Sequence, residues 1–143
     1  MKKNRPVRTP PPSEVAARLQ AHGIRATAPR LRIAELLLAA PQHLSAEQLA
    51  EALRQQGVPV SKATVYNTLN LFAGRGLIRH LVVDAARSCF DSNVEAHYHF
   101  HDEVSGALTD VGLPEVQFSR LPDPPAGMEV AGLDLVIRLR PRR

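Results

Sequence analysis

The sequence predicts an α+β fold, with an N-terminal winged helix-turn-helix followed by a small α/β dimerisation domain that has a three-stranded antiparallel sheet. Two observations lead to this prediction. Residues 13–74 contain four stretches of helical periodicity, and strand-like alternation with short turns replaces it after residue 76. Several short helices followed by a hairpin are the order that is typical of a winged helix.

Each predicted helix has residues suited to begin it and to end it. The helices are predicted over residues 14–21, 28–40, 46–56 and 62–74. Ser13, Ser45 and Ser61 are the predicted N-caps, because a hydroxyl can accept a hydrogen bond from a free N–H of the first turn. Pro29 lies in the first turn of the second helix, where its missing N–H costs little, and Pro41 ends that helix.

The strands are shorter than the helices, and their alternation indicates which residues share a face. They are predicted over residues 77–83, 87–91, 97–103, 107–112 and 133–140. Leu133, Leu135, Ile137 and Leu139 form one apolar face of the last strand. A three-stranded sheet this small is not stable with that face in water, so we expect a homodimer in which a second subunit covers it.

Composition limits the class of protein. The chain has 143 residues, of which 44% are hydrophobic, and no run approaches the roughly 20 apolar residues of a membrane span. No signal peptide follows the basic N-terminus, so we expect a cytoplasmic location. The single cysteine, Cys89, excludes an internal disulfide. Residues 1–12 are predicted to be a disordered basic tail, followed by one domain over 13–91 and another over 92–143.

Charge is divided unevenly along the chain. Residues 1–88 contain 13 Lys and Arg against 5 Asp and Glu, whereas residues 89–134 contain one Arg against nine acidic residues. A basic first half suits a polyanion such as DNA, and an acidic second half suits cations.

The predicted fourth helix has an apolar back and a polar, partly aromatic front, as a helix that enters the major groove requires. The back consists of Val65, Leu69 and Phe72. The front consists of Lys62, Thr64, Tyr66 and Asn67. Lys62 and Thr64 are suited to phosphates, Tyr66 to a thymine methyl, and Asn67 to a base edge or a phosphate.

Three histidines lie two residues apart in the segment AHYHFH. In a strand this spacing places His97, His99 and His101 on one face. Each of these imidazoles needs a hydrogen-bond partner, so three together indicate a transition metal or haem rather than a packing role. Asp91 precedes this segment, and Asp110 lies on the neighbouring predicted strand.

Four segments in the same order and spacing resemble the ferric uptake regulator (Fur) family over nearly the whole chain. They are GIRATAPR (23–30), HLSAEQL (43–49), SKATVYNTL (61–69) and GLIR (76–79). The resemblance implies a homodimeric, metal-dependent repressor that binds double-stranded DNA at an AT-rich operator.

The resemblance also implies roles for individual residues that contact DNA. Arg25 takes the position of the basic residue that the family sends into the minor groove, and Arg30 and Tyr66 hold the major-groove edge and the backbone. Asn67 stands where many Fur proteins have arginine. Peroxide-sensing and iron-response relatives often carry asparagine there, so operator preference is left open.

A regulatory metal site is implied in the same way. It takes His43 from the DNA-binding domain and its other ligands from the hinge and the dimerisation domain, namely Asp91, His97, His99 and Asp110. Such a set favours Fe(II) or Mn(II), and Zn(II) can also bind it. Because the ligands come from two domains, bound metal is expected to fix their relative orientation and thereby control DNA binding.

Two features depart from most of the family. Asp102 and Ser105 occupy the positions of a zinc-binding cysteine pair, so no structural four-cysteine zinc is expected. The stretches FDSNVEAHYHFH (90–101) and LPDPPAGMEVAGLDLVIRLR (121–140) are most similar to the iron response regulator (Irr) branch. That similarity makes haem a further candidate, with His101 as an additional metal or haem ligand.

The expected function is transcriptional repression in iron homeostasis, in response to iron, manganese or haem. A peroxide sensor of the same family is the alternative, since aspartate at both carboxylate positions resembles the metal set of that group. A metal or haem carrier would explain the histidines but not SKATVYNTL. An enzyme is not expected, because there is no HExxH motif and five protein ligands leave little room for an activated water.

Overall fold

The computed structural model describes residues 11–39, 42–84 and 87–143, which divide into two compact units between Val94 and Glu95. Most of the predicted tail lies outside the described residues. Within the part of the chain that is described, no helix is both long and apolar enough to cross a membrane.

The first unit combines four α-helices with a three-stranded sheet. Its helices are α1 (Pro12–Ala21), α2 (Ala28–Leu38), α3 (Ala46–Gln55) and α4 (Lys62–Gly74). Its strands are β1 (His43–Leu44), β2 (Arg79–Asp84) and β3 (Arg87–Asp91). All strand pairs are antiparallel, in the order β1–β3–β2. The predicted winged helix-turn-helix is confirmed.

Side-chain caps determine where α3 and α4 begin. Ser45 Oγ accepts a hydrogen bond from the Gln48 N–H at 3.1 Å, and Gln48 Oε1 accepts one from the Ser45 N–H at 2.9 Å. This reciprocal pair is a capping box. Ser61 Oγ accepts from the Thr64 N–H at 3.1 Å in the same way. Both predicted N-caps are therefore confirmed.

The start of α1 differs from the prediction. The helix begins at Pro12 with Pro11 in the N-cap position, so Ser13 lies within the first turn and is not the N-cap. Proline suits the first helical position because its fixed φ fits the helix and its missing N–H would have no intrahelical partner there.

The connection from α2 to α3 contains a strand that the sequence does not predict. α2 ends at Leu38 rather than at residue 40, and residues 40–41 lie outside the described part of the chain. The two residues of β1 follow and pair with β3, so that His43 lies opposite Asp91. Two residues contain too little alternation for periodicity to identify a strand.

One hydrophobic core lies beneath the four helices. Its side chains without exposed surface are Val15, Leu19, Ile33, Ala34, Leu37, Leu49, Leu53, Val65, Leu69, Phe72 and Phe90. The predicted back of α4 is thus confirmed. β2 begins at Arg79 rather than at Leu77, because Leu77 and Ile78 are buried against this core before the strand starts.

The second unit is built on another three-stranded sheet. Its strands are β4 (Tyr98–Asp102), β5 (Leu108–Val111) and β6 (Val136–Leu139), in the order β5–β4–β6. Each strand is shorter than predicted. One turn of 3-10 helix, Leu113–Glu115, follows β5.

The direction of the last strand corrects the sequence prediction. β4 pairs antiparallel with β5 but parallel with β6, so the sheet is mixed and the prediction of a wholly antiparallel sheet is wrong. A parallel neighbour requires a long crossover, and residues 112–135 supply one. This crossover contains no α-helix, so the predicted α/β character of the unit is also wrong.

The apolar face predicted on the last strand is only partly covered within one chain. Leu135 and Ile137 are half-buried. Leu133 lies before β6 and Leu139 at its end, and each side chain is 41% exposed.

The capping box predicts a measurable contribution to stability. Ser45→Ala removes the acceptor for the Gln48 N–H, and we expect it to lower the free energy of unfolding by about 1 kcal/mol in urea denaturation. Ser13→Ala is the matched control, because Ser13 is exposed and caps nothing, and it should change stability by less than about 0.5 kcal/mol. Equal losses in the two variants would contradict the assignment of Ser45 as the cap.

Candidate metal ligands and nucleic-acid interface

Two predicted metal ligands lie side by side in the sheet of the first unit. The pairing of β1 with β3 brings His43 Nε2 to 3.2 Å from Asp91 Oδ2. Asp91 is buried, and its other oxygen, Oδ1, accepts a hydrogen bond from the Asn93 N–H at 2.9 Å. One carboxylate oxygen is thereby oriented by the backbone, while the other faces an imidazole nitrogen.

The remaining three predicted ligands form a group in the second unit. The register of β4 and β5 sets His99 opposite Asp110. Asp110 Oδ1 lies 3.5 Å from His97 Nε2 and 3.7 Å from His99 Nε2. The two imidazole rings meet edge to face, with centroids 4.5 Å apart. Each of the three residues offers a ligand atom within 4.8 Å of the other two, which is a spacing that a metal ion can bridge.

Main-chain groups orient these side chains. His97 Nδ1 contacts the carbonyl oxygen of Glu95, which leaves Nε2 directed toward Asp110. Metal-binding histidines commonly hold the second ring nitrogen in this way, because it fixes the ring and the tautomer. Sequence reasoning misses Glu95 and Asn93, since a main-chain donor or acceptor leaves no signal in residue type.

His101 occupies the same face of β4 as His99 but does not join the group around Asp110. It is 7% exposed, and its Nδ1 has no hydrogen-bond partner among the described residues. Its cross-strand neighbours are Leu108 and Arg138. The structure therefore separates His101 from the ligands that the family resemblance implies.

The turn between β4 and β5 is held by hydrogen bonds to Asp102 and Ser105, at the positions where the family resemblance implies a cysteine pair. Asp102 Oδ1 accepts from the N–H groups of Val104 at 2.8 Å and Ser105 at 3.2 Å. Ser105 Oγ accepts in turn from the Ala107 N–H at 3.2 Å. The bond from Val104, together with those from Ser105, lowers the pKa of the Asp102 carboxyl group.

The front of α4 presents the predicted DNA-contacting side chains. Lys62, Tyr66 and Asn67 are exposed, and no described carboxylate pairs with Lys62. Thr64 is half-buried, and its Oγ1 accepts a hydrogen bond from Ser61 Oγ at 2.9 Å. Thr64 therefore supports the start of the helix, while the other three side chains extend from it.

Two further predicted contacts lie at the beginning of α2. Arg25 is exposed, and Arg30 is half-buried within the first turn of the helix. Arg30 Nη1 donates to the Arg25 carbonyl oxygen at 2.9 Å. This bond fixes the backbone that carries Arg25 relative to α2, and it leaves the Arg25 guanidinium without an ion pair among the described residues.

Comparisons with known proteins identify the family of this chain. The sequence profile described as Ferric uptake regulator family matches residues 21–129. A peroxide-responsive repressor, PerR, of Staphylococcus epidermidis is 32% identical over 103 residues, covering 72% of this chain and 69% of the relative.

Solved structures share the fold. The ferric uptake regulator of Pseudomonas aeruginosa with manganese superposes with a TM-score of 0.68 at 28% identity, covering 89% of this chain and 97% of that one. The ferric uptake regulator of Francisella tularensis with iron gives the same TM-score at 24% identity, covering 84% of this chain and 93% of that one. The family profile spans well over half of the sequence, and the chain belongs to the ferric uptake regulator family.

Proposed function

We propose that this protein is a cytoplasmic, metal-dependent, homodimeric repressor that binds DNA sequence-specifically and controls iron homeostasis. The observation that carries the proposal is the pair of metal-competent groups. His43 and Asp91 face each other in the first unit, and His97 and His99 face Asp110 in the second. The first group combines one half-buried imidazole with a buried carboxylate, and the second combines two buried imidazoles with a more exposed carboxylate.

A single divalent cation shared by both groups would have three nitrogen and two oxygen ligands. That donor set suits Fe(II) or Mn(II), with Zn(II) able to occupy it in vitro. The ferric uptake regulator of Pseudomonas aeruginosa, which is 28% identical, was solved with manganese, and this supports the same choice. His43 and Asp91 would then be tied to the second unit whenever the cation is present, which would favour one arrangement of the subunits for DNA binding.

The metal proposal predicts that DNA affinity depends on His43. For the unaltered protein, we expect saturating Mn(II) to strengthen binding to a duplex selected from a random library by about 5- to 150-fold. His43→Ala should reduce this ratio to near one, as measured by fluorescence anisotropy with and without Mn(II). His22→Ala is the control, because the His22 imidazole contacts the Arg75 carbonyl oxygen and is not among the proposed ligands, so this variant should keep the ratio. An unchanged ratio in His43→Ala would refute the shared site.

The DNA proposal predicts separable effects on the front of α4. Lys62→Gln should reduce the slope of log affinity against log salt by about 0.9, because one phosphate contact is lost. Tyr66→Ala should weaken binding to the selected duplex more than to a scrambled one. Arg54→Gln is the control for charge, since Arg54 already pairs with Glu51 at 2.6 Å and should leave the slope unchanged. If Arg54→Gln lowered the slope as much as Lys62→Gln, α4 would not be the DNA-reading helix.

Peroxide sensing is a second candidate function. It is favoured by the PerR relatives and by aspartate at both carboxylate positions, Asp91 and Asp110. In that case iron-loaded protein treated with hydrogen peroxide should gain one oxygen atom on His43 or His97, detected by mass spectrometry of peptides. Manganese-loaded protein is the control and should remain unmodified. The absence of oxidised histidine in the iron-loaded sample would exclude this function.

Haem sensing, as in the iron response regulator branch, remains part of the proposal. Its candidate ligands are His97, His99 and His101, which all lie in or beside β4. A haem titration followed by visible absorption distinguishes it from simple metal sensing, because an axial imidazole shifts the main haem band.

A further inference from the structure

Gln42, immediately before β1, connects two parts of the first unit that the DNA and metal proposals leave separate. Its side-chain amide donates to the carbonyl oxygens of Leu36 and of Leu37, the latter at 3.1 Å. Both carbonyls belong to the last turn of α2, where no further helical N–H is available to them. Gln42 thus closes the C-terminal end of α2 from outside the helix.

The backbone of Gln42 is held on its other side by Ser92, directly after β3. The Gln42 N–H donates to Ser92 Oγ at 3.0 Å, and the Gln42 carbonyl accepts from the Ser92 N–H at 3.2 Å. These bonds extend the β1–β3 pairing by one step beyond His43 and Asp91. Gln42 is therefore next to the metal ligands in the sheet and in contact with α2 through its side chain.

The arginines proposed to contact DNA lie at the opposite end of α2, Arg30 inside its first turn and Arg25 just before the helix. Arg30 lies in the first turn of the helix and donates to the carbonyl of Arg25. An α-helix of this length is about 16 Å long and behaves as one rigid element. A shift of its C-terminal end relative to the sheet is therefore transmitted to its N-terminal end.

We propose that Gln42 is a positioning residue that couples metal binding at His43 and Asp91 to the placement of Arg25 and Arg30. This inference rests on the proposed function. A two-residue strand is held by few backbone hydrogen bonds. A cation bound by both His43 and Asp91 therefore stabilises the pairing of β1 with β3. The amide of Gln42 then holds the C-terminal end of α2 against the sheet. A side chain of this length with two N–H donors is needed to bond both carbonyls at once.

The test is the ratio of DNA affinities with and without Mn(II), measured on the duplex selected by the unaltered protein. Gln42→Met has similar length but no donor, and we expect it to lower this ratio by about fivefold or more, within the usual range of coupling between sites. Its DNA affinity without Mn(II) should stay within about twofold of the unaltered protein, because the apo state does not use the coupling. A merely structural role would instead weaken both affinities equally and leave the ratio unchanged.

Two further variants keep the test decisive if Gln42→Met folds poorly. Gln42→Lys restores N–H donors near the helix C-terminus and should recover most of the ratio. Ser92→Ala removes the hydroxyl that accepts from the Gln42 N–H, leaves the side-chain amide intact, and should lower the ratio to an intermediate value. Gln55→Met is the matched control, because Gln55 is exposed and its amide donates to Glu51 within α3.

Reciprocity supplies an independent readout. DNA must strengthen Mn(II) binding by the same factor as Mn(II) strengthens DNA binding. In calorimetric titrations, Gln42→Met should therefore reduce the effect of DNA on Mn(II) affinity as much as it reduces the effect of Mn(II) on DNA affinity. If the unaltered protein shows no Mn(II) effect on DNA affinity, the proposed function fails. If it shows the effect and Gln42→Met retains the full ratio, the role of Gln42 is refuted while the metal-dependent function stands.

Discussion

The burial of Asp91 is the constraint on which the sheet of the first unit depends. A carboxylate removed from water is stable only when its oxygens are paired, because the desolvation of an unpaired charge costs several kcal/mol or more. Asn93 satisfies one oxygen from the backbone, and His43 faces the other. The imidazole can reach Asp91 only if the chain returns from α2 to lie beside β3, and β1 is that return.

The second unit must also supply partners for buried polar side chains, and its sheet has a different topology. His97 and His99 are buried in a sheet with only three strands, so their nitrogens require partners within it, and Asp110 on β5 supplies a carboxylate to both. The adjoining turn is held by Asp102 and by the Ser105 hydroxyl. These hydrogen bonds hold the hairpin without a thiolate or a metal, at the positions where the family resemblance implies a cysteine pair.

Local signals predict part of this structure well. The starts of α3 and α4 follow from Ser45 and Ser61, since a cap depends on residues within one turn. The spacing of His97 and His99 likewise indicates a shared face without any tertiary information. His43 could be proposed as a ligand only through the family resemblance, because its pairing with Asp91 depends on β1, and a two-residue strand has no periodicity of its own.

The sequence does not reveal the direction of a strand or the contacts between residues that lie far apart along the chain. The alternation in β6 is the same whether the strand runs parallel or antiparallel to β4, so only the long connection before it determines the outcome. The contacts of Gln42 are similarly invisible, because they join a helix end to a residue after a distant strand. Glutamine in a loop carries no pattern that distinguishes a solvated amide from one that closes a helix.

If a cation binds His43 and Asp91 as proposed, the short length of β1 is what would let the first unit respond to it. A long strand would hold His43 beside Asp91 whatever was bound there, and ligand binding would then change little in the fold. Two paired residues contribute few backbone bonds, so a cation bound by both His43 and Asp91 would add to the stability of that pairing. The α2 core residues Ile33 and Leu37 are fully buried, which stabilises the helix independently of β1. Under the proposal, a short strand joined to a stable helix would convert cation binding at His43 and Asp91 into a change in the position of side chains at the far end of α2.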